Sequence, residues 1–405
     1  MSDTATLSRK ADFPGMVTGE GQPWHYLDTA ATAQKPQAVI DAMSRALGSD
    51  YATVHRGVYS RSAQMTLGYE AARRRVADFI GAGSENEIVF VRGATEGINL
   101  VAYSWGAANL KAGDRIMISQ LEHHSNIVPW QLIAAQTGAE IDVCPITDDG
   151  LIDLDALEAM LTPAHKIVAL CHVSNVLGSI LGAKRAARLA HGVGAKLLLD
   201  GCQSAPRMRL DMAELDCDFF VFSGHKLYGP TGIGVLWARE ELLDAMPPWQ
   251  GGGSMIDTVA FEGSTWAPPP QRFEAGTPMI TEAIAMHAAI DYVEPLGMER
   301  LFEHESGLAR QLREELSRFN SITLHGPEKS AGIVSFTMEG VHPHDLGTIL
   351  DEENVAIRAG HHCAQPLMGV LGVPATARAS FGLYSDESDI EALVKGIERT
   401  LRIFG

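Results

Sequence analysis

The chain has 405 residues, of which 46% are hydrophobic and 20% are charged, a mixture typical of a globular protein and unlike a disordered or collagen-like chain. At about 100–200 residues per domain, this length predicts two or three domains. With 32 Lys and Arg against 50 Asp and Glu, the net charge is −18. Electrostatic binding of nucleic acid or of an anionic membrane requires a basic face, so this charge argues against both partners.

Short apolar strands alternate with amphipathic helices through the middle of the chain. Strands are predicted at 87–93, 113–120, 139–146, 166–173, 195–201, 219–224 and 232–238. Helices are predicted at 95–106, 126–138, 153–161 and 183–194. Because apolar strands separated by helices are typical of a parallel sheet that is buried on both faces, we predict an α/β domain with a mainly parallel, seven-stranded sheet flanked by helices.

The pattern changes after a glycine-rich loop at 247–256. Two long helices are predicted at 281–296 and 298–319, and a last helix at 387–403. Shorter strands between them are predicted at 322–326, 332–338, 355–360 and 377–384. This part is predicted to be a smaller α+β domain. The predicted division is 21–290 for the large domain and 291–405 for the small one, with 1–20 packed against the small domain.

The cysteines and the N-terminus favour one compartment. The chain contains Cys144, Cys171, Cys202, Cys217 and Cys363. An odd number without close spacing is unlike a disulfide framework, so we expect a cytoplasmic protein with free thiols, three of them (Cys144, Cys171 and Cys217) buried in apolar runs. We expect no signal peptide, because the first sixteen residues lack an apolar core, and no membrane helix, because no apolar run reaches about 18–20 residues.

Polar clusters follow five of the predicted strands. They are Arg92 to Thr95, His123 and His124, Ser174 and Asn175, Asp200 to Gln203, and Ser223 to Lys226. Ligands of an open parallel sheet bind in the crevice at the carboxyl ends of its strands. Five clusters at one edge therefore indicate a cofactor site.

Lys226 and Asp200 are the leading candidates for holding that cofactor. A lysine just past a buried strand loses its proton when desolvated and can form an imine with an aldehyde, although a lone loop lysine is usually only solvated. Ser223 and His225 nearby are donors suited to a phosphate. Asp200 ends a strand, where a carboxylate can keep a pyridinium nitrogen protonated or simply cap a turn. Gln203 is placed to donate to a phenolic oxygen of the same ring.

Two further segments fit such a ligand. Gly93, Ala94 and Thr95 precede a predicted helix, where free N–H groups and the helix dipole favour a phosphate, although Thr95 is equally an ordinary N-cap. His123 can stack on a flat ring and move protons. His123 with His124 is a poor metal site, because adjacent side chains on an extended segment diverge, and we expect no metal.

Cys363 is the candidate nucleophile of the second domain. It lies in a polar loop, so we expect it to be exposed, and a cation such as Arg358 nearby would favour the thiolate. His361 and His362 precede it without the spacing of a zinc site. Arg378, in a predicted strand, can clamp a substrate carboxylate with two hydrogen bonds, although an isolated strand arginine is more often part of a surface ion pair.

The motifs around these residues resemble the aminotransferase class-V family of pyridoxal phosphate (PLP) enzymes. They are HKLYGPTGIG after FVFSG, DGCQ, EHHSNIVPW, HVSNVLG and RGATEGINLV. The segment RAGHHCAQPLM, followed by ARASF, resembles the group II cysteine desulfurases of SUF-type iron–sulfur assembly. The resemblance spans the chain from LDTAATAQKP near residue 27 to the last helix. It implies fold type I of the PLP-dependent transferases and a homodimer with active sites at the subunit interface.

The resemblance also implies roles for single residues. Lys226 would carry PLP as a Schiff base, Asp200 would contact the pyridine nitrogen and Gln203 the phenolic oxygen. His123 corresponds to a histidine that stacks on the ring, and Asn175 to an amide beside substrate and cofactor. Phosphate contacts are implied for Thr95, Ser223, His225 and, across the dimer interface, Thr277.

A few positions depart from the family pattern or stay open. Ala94 stands where threonine is common, and Cys202 stands where alanine is usual, so a second thiol is expected near the cofactor. His55 and Arg56 lie in a segment that resembles one reaching the partner's site, and their role is open. The two-histidine stretch 341–345 is similar to members that hand sulfur to a zinc-containing, scaffold-like acceptor, although a surface loop that opens a helix explains it equally well.

Together these features predict a PLP-dependent desulfurase that converts L-cysteine to L-alanine. The carboxylate of the L-cysteine substrate would be bound by Arg378, Arg358 and Asn175. Lys226 would remove the Cα proton, the Cys363 thiolate would attack the substrate sulfur, and His123 would donate a proton. The resulting persulfide would pass to an acceptor protein of the SUF pathway.

Three other functions stay open at this point. A selenocysteine lyase or a cysteine-sulfinate desulfinase would use the same site with less need of Cys363. An aminotransferase needs no loop thiol, and a sulfur-relay scaffold would show slow turnover without its acceptor. In each case the site is expected to be locally cationic, from Arg358, Arg378, Lys226 and His225.

Overall fold

The structure, a computed structural model, describes residues 7–404. Residues 1–6 and 405 lie outside the described residues. The predicted packing of 1–20 and the expected absence of a signal peptide therefore fall partly outside them. The helices are α1 (Gln37–Leu47), α2 (Ser60–Ile80), α3 (Ala94–Leu100), α4 (Ala107–Asn109), α5 (Val128–Thr137), α6 (Leu154–Met160), α7 (Ala183–Gly192), α8 (Met212–Leu215), α9 (Glu240–Ala245), α10 (Ile280–Val293), α11 (Met298–Leu316), α12 (Pro343–Asp351), α13 (Gln365–Leu371) and α14 (Glu387–Phe404). The strands are β1 (His25–Tyr26), β2 (Ile88–Val91), β3 (Arg115–Ser119), β4 (Glu140–Cys144), β5 (His165–Cys171), β6 (Lys196–Asp200), β7 (Phe219–Ser223), β8 (Gly234–Ala238), β9 (Ile256–Ala260), β10 (Gly263–Trp266), β11 (Ile322–His325), β12 (Ile333–Met338), β13 (Val355–Ala356), β14 (Arg358–Gly360) and β15 (Thr376–Ser380).

A central sheet of seven strands has the order β2-β8-β7-β6-β5-β3-β4. Strand β8 pairs antiparallel with both neighbours, and the other pairs are parallel, so six strands run in one direction. The predicted α/β class with a mainly parallel, seven-stranded sheet is confirmed.

The strands of this sheet are apolar because both of its faces are covered. Every residue of β2, β7 and β8 is buried. Helices α2, α7 and α10 contribute to the core on one face, while α3, α5 and the π-helical turn Val101–Gly106 contribute to the core on the other. Burial on both faces explains why these strands lack the alternation of a half-exposed sheet.

The C-terminal part is built on a second sheet of four antiparallel strands in the order β11-β12-β15-β14. Helices α11, α12 and α14 pack with this sheet in a separate hydrophobic core. Strand β15 carries Arg378, and β14 begins at Arg358 and leads into the Cys363 loop. This sheet therefore positions the predicted substrate-binding residues.

The described N-terminal segment is bound to the C-terminal part. The main-chain nitrogen of Arg9 donates to the carbonyl oxygen of Leu383 at 2.7 Å, and the Phe13 ring packs against the Tyr384 ring. Strand β1, which the predicted division places in the large domain (21–290), pairs with β13 of the C-terminal part. The division at residue 290 stays a prediction. Between residues 7 and 404, no helix is both long and apolar enough to span a membrane.

Candidate active site

A cavity of about 420 Å³ lies at the carboxyl edge of the central sheet. The predicted residues that line it are Ala94, Thr95, His123, Asn175, Asp200, Gln203, Ser223, His225, Lys226, Arg358, Cys363 and Arg378. Those from the central sheet come together because β2, β3, β5, β6 and β7 point the same way and end at this edge, while Arg358, Cys363 and Arg378 come from β14, the loop after it and β15. Thr277 is not among them: it lines a second cavity of about 290 Å³, together with Arg92 and Trp249.

The Asp200 turn is shaped by glycine and by main-chain donors. Asp200 Oδ1 accepts a hydrogen bond from the main-chain nitrogen of Cys202 at 2.9 Å. A Cβ atom on Gly201 would lie 1.9 Å from the Phe220 ring, so this close approach requires glycine. The Cys202 sulfur lies 3.7 Å from Ser223 Oγ, and burial raises the pKa of this thiol to about 12. Cys202 is therefore a neutral thiol beside the cavity.

The end of the cavity that carries the predicted phosphate contacts contains neutral hydrogen-bond donors. Ser223 Oγ accepts from the main-chain nitrogen of Ala94 at 2.9 Å, which leaves its own proton free to donate. Thr95 Oγ1 lies 2.7 Å from Ser125 Oγ. Burial and the nearby Lys226 lower the pKa of His225 to about 4. The expectation that His225 adds positive charge is wrong, because its imidazole is neutral near pH 7.

His123 is also a neutral imidazole. The main-chain nitrogen of Ser125 donates to His123 Nδ1 at 3.1 Å, which places the ring proton on Nε2. Burial, followed by the charge of Lys226, lowers the His123 pKa to about 4. His123 lines the cavity, so its ring can contact a substrate or a cofactor there.

A buried carboxylate that the sequence analysis did not assign, Glu122, supports this histidine. Glu122 accepts from Ser119 Oγ at 2.5 Å, from Asn126 Nδ2 at 2.7 Å and from the main-chain nitrogen of Cys171 at 3.0 Å. Burial raises its pKa to about 7. It joins the ends of β3 and β5 to the His123 turn. The only sequence signal was an acidic residue directly before His123.

The Cys363 loop is exposed and has an unusual backbone. His362 and Cys363 have φ angles of +53° and +54°, a left-handed conformation that residues other than glycine rarely adopt. The main-chain nitrogen of His124 donates to the Cys363 carbonyl oxygen at 2.7 Å, and His124 Nε2 accepts from the nitrogen of Gln365 at 2.9 Å. Asn175 Nδ2 donates to the His362 carbonyl oxygen at 2.8 Å. These contacts hold the thiol at the cavity.

The two arginines share one carboxylate. Arg378 Nη2 and Arg358 Nη2 each contact an oxygen of Asp28 at 2.9 Å. Arg378 Nη1 donates to the Asn175 carbonyl oxygen at 2.8 Å, while its buried Nε has no hydrogen-bond partner among residues 7–404. Asp28 was not assigned from the sequence, although it lies in the quoted motif LDTAATAQKP. The expected cationic site is thus partly neutralised, with one donor left over.

Of the remaining candidates, only Cys171 is at this cavity within the described residues. Cys144, Cys171 and Cys217 are buried as predicted, although Cys171 also lines the cavity. His55 is exposed and its Nε2 lies 2.8 Å from Glu70 Oε1. Within the described part of the chain, no three His, Cys, Asp or Glu side chains form a group that could hold a metal.

The chemistry of the lining fits PLP. The hydroxyls of Thr95 and Ser223 suit a phosphate, and the Asp200 carboxylate suits a pyridinium nitrogen. Lys226 supplies the amine that an aldehyde requires. The Arg378 guanidinium at the same cavity suits the carboxylate of an amino acid.

Comparisons with known proteins agree with this chemistry. A family model described as aminotransferase class-V matches residues 25–393. A probable cysteine desulfurase of Halalkalibacterium halodurans is 51% identical over 385 residues, 95% of either chain, and a cysteine desulfurase of Cronobacter sakazakii is 49% identical over 98% of either chain. The crystal structure of the cysteine desulfurase CsdA from Escherichia coli, an S-sulfonic acid form, is similar with a TM-score of 0.92, 40% identity and 98% coverage of both chains. The chain therefore belongs to the aminotransferase class-V family, whose members are pyridoxal phosphate enzymes, and its relatives there are cysteine desulfurases.

Proposed function

We propose that the protein is a cysteine desulfurase that converts L-cysteine to L-alanine and keeps the sulfur on Cys363 as a persulfide for iron–sulfur cluster assembly. The observation that carries the proposal is the exposed Cys363, held by Asn175 and His124 at the cavity that Lys226 and Arg378 line. An aminotransferase needs no thiol at this position.

Bound PLP supplies an electron sink that stabilises negative charge at the substrate Cα atom. Lys226 holds the cofactor and, once free, takes the Cα proton. Asp200 keeps the pyridine nitrogen protonated. The Asn175 amide and the Arg378 guanidinium orient the substrate carboxylate at the cavity that both residues line.

Cys363 and His123 complete the reaction. The Cys363 sulfur attacks the substrate sulfur, so that an S–S bond forms while the substrate C–S bond breaks. His123 lines the same cavity; it takes up a proton that a reacting thiol releases and passes it to the carbon skeleton. L-cysteine and the Cys363 thiol together contain the atoms of L-alanine and a Cys363 persulfide, so no external oxidant is required.

Mass spectrometry after treatment of the holoenzyme with L-cysteine tests this proposal. We expect a mass gain of about 32 Da on Cys363, one sulfur atom, with L-alanine released in equal amount. The Cys363→Ala variant should keep its visible PLP absorbance and lose cysteine turnover. Retained turnover in Cys363→Ala would reject the mechanism and favour a selenocysteine lyase or a cysteine-sulfinate desulfinase.

The acceptor of the sulfur is proposed to be a zinc-containing protein of the SUF type. His342 and His344 are exposed at the start of α12, their rings are stacked 5.2 Å apart, and α12 packs against β14, which leads to the Cys363 loop. His342 Nδ1 accepts from the main-chain nitrogen of His344 at 3.2 Å, which leaves Nε2 for a metal. His342→Ala should slow sulfur transfer to such an acceptor and leave acceptor-free alanine formation unchanged. Equal transfer rates would reject this acceptor class.

A cytoplasmic homodimer is part of the proposal. Large apolar side chains, among them Val58, Leu67 and Phe261, are exposed on the single chain. Thr277 lies outside the central cavity, which fits a phosphate contact made in a partner's site. Sedimentation of the holoenzyme should give twice the mass of the 43.6 kDa chain, and a monomer at working concentration would reject the dimer.

A further inference from the structure

Arg207 lies outside the lining of the central cavity but is bound to a residue of that lining. Its side chain is 1% exposed, and Nη1 donates to Gln203 Oε1 at 2.7 Å and to the Gln203 carbonyl oxygen at 3.2 Å. Gln203 itself is buried and lines the cavity. Arg207 is therefore connected to the cofactor site through Gln203.

The contact determines which way the amide points. A guanidinium carries donors and no acceptor, so the atom of the Gln203 amide that faces Arg207 must be its oxygen. Its nitrogen is then on the other side, where Nε2 donates to the Ala30 carbonyl oxygen at 2.7 Å. An amide nitrogen has two N–H groups, and the second one is left for the cavity.

We propose that Arg207 is a positioning residue that locks the Gln203 amide with its N–H edge toward the phenolic oxygen of the cofactor. The inference rests on the proposed function, because it takes PLP as the ligand of this cavity. Without Arg207, only the Ala30 carbonyl oxygen opposes a half turn of the amide, which would present the amide oxygen and repel an ionised phenolic oxygen.

Arg207 is itself held in place from the C-terminal part of the chain. Its Nε lies 2.8 Å from Glu305 Oε2 on α11, an ion pair that lacks the alignment of a hydrogen bond. Glu305 Oε1 accepts from the Tyr228 hydroxyl at 3.2 Å, and that hydroxyl accepts from the main-chain nitrogen of Leu383 at 2.9 Å. Arg207 and Glu305 are both 1% exposed, so neither is free to turn to solvent.

The lock has a spectroscopic consequence. A hydrogen-bond donor favours the ionised form of an acidic oxygen, and the visible absorbance of a PLP enzyme follows the protonation of the cofactor. Loss of the Gln203 donor should therefore raise the pH midpoint of that absorbance. This quantity is read on the resting enzyme, without turnover.

A double-mutant cycle between Arg207 and Gln203 tests the proposal. Arg207→Met alone leaves Glu305 unpaired, so the paired variant Arg207→Met/Glu305→Met, which removes both buried charges, is measured beside it. Both should raise the midpoint by about one pH unit in the wild-type background. Arg207→Lys keeps a donor-only cation and should restore most of the wild-type value.

In the Gln203→Leu background, neither Arg207→Met nor Arg207→Met/Glu305→Met should shift the pH midpoint of the visible absorbance further. An equal shift of the midpoint with and without Gln203 would overturn the proposal, because Arg207 would then act by its charge. An unchanged midpoint in the wild-type background would overturn it as well. A wild-type protein that gains no visible band with PLP would overturn the proposed function itself. A wild-type band with an unaltered midpoint in the variants overturns the Arg207 role alone.

Discussion

The side-chain amide of Asn175 donates to the main-chain carbonyl oxygen of His362 at 2.8 Å. The main-chain carbonyl of the same Asn175 accepts from Arg378 Nη1, also at 2.8 Å. Asn175, in the loop that follows β5, thus contacts both the residue before Cys363 and the arginine proposed to bind the substrate carboxylate. The positions of nucleophile and substrate are coupled through this single residue.

Replacement of that amide should therefore slow sulfur transfer. We expect Asn175→Ala to reduce alanine formation by about 10- to 100-fold, because a misplaced reacting group costs about this much. The measurement is the rate of L-alanine release, with the rate of persulfide formation on Cys363 followed beside it. Asn109→Ala is a matched control, since it removes an amide donor to the Trp105 carbonyl oxygen at 2.8 Å away from the cavity. Equal effects of the two variants would contradict a role of the Asn175 amide in sulfur transfer.

The buried Arg378 should matter more for substrate binding than the exposed Arg358. Both contact Asp28, but Arg358 is 48% exposed on its side chain and Arg378 is 3% exposed. Arg378→Lys should raise the KM for L-cysteine about tenfold or more with the visible absorbance intact, because lysine cannot make the paired hydrogen bonds of arginine. Arg358→Lys should change KM less. The opposite ranking in steady-state kinetics would move the carboxylate site to Arg358.

Cys202 should be dispensable for persulfide formation. It is buried, and burial together with the charge of Asp200 keeps its thiol protonated by raising the pKa to about 12. The thiolate is the nucleophile in sulfur chemistry, so Cys202→Ala should change cysteine turnover by less than about threefold. Peptide mapping after L-cysteine treatment should find sulfur on Cys363 only, and a persulfide on Cys202 in the wild type would disprove this assignment.

His172 should make the protein less stable in weak acid. It is buried beside Ser204, and burial alone lowers its pKa from the ordinary 6.5 to about 4. The unfolded chain therefore binds this proton at a higher pH than the folded one. The contribution of His172 is fully present above about pH 6.5 and is lost as the pH falls to about 4, at about 1.4 kcal/mol per pH unit.

His172→Gln keeps a polar group for Ser204 and removes the titration. Urea unfolding of both proteins at pH 7 and pH 5 measures the effect. The wild type should lose about 2 kcal/mol more than the variant between these values. Parallel losses would show that His172 does not titrate in this range.

The amino-acid sequence by itself determined the sheet and most of the lining of the cavity. Lys226, Asp200 and His123 each follow a short apolar run, and runs of this kind with helices between them form parallel strands whose ends meet at one edge. Local pattern is sufficient here, because the direction of each strand follows from the helix that connects it to the next. The polar residues at their ends are then neighbours whatever the details of packing.

Only the tertiary structure decided which groups these residues touch and which charges they carry. Asp28 lies between Arg358 and Arg378, and Arg207 meets Glu305, although these partners are far apart in the chain. No periodic pattern connects residues at such separations. The neutral state of His225 likewise depends on burial, which is a property of the packed molecule and of no single segment. The sequence therefore determined which residues lie at the edge of the sheet. The packing of the folded chain determined their hydrogen-bond partners and their protonation states.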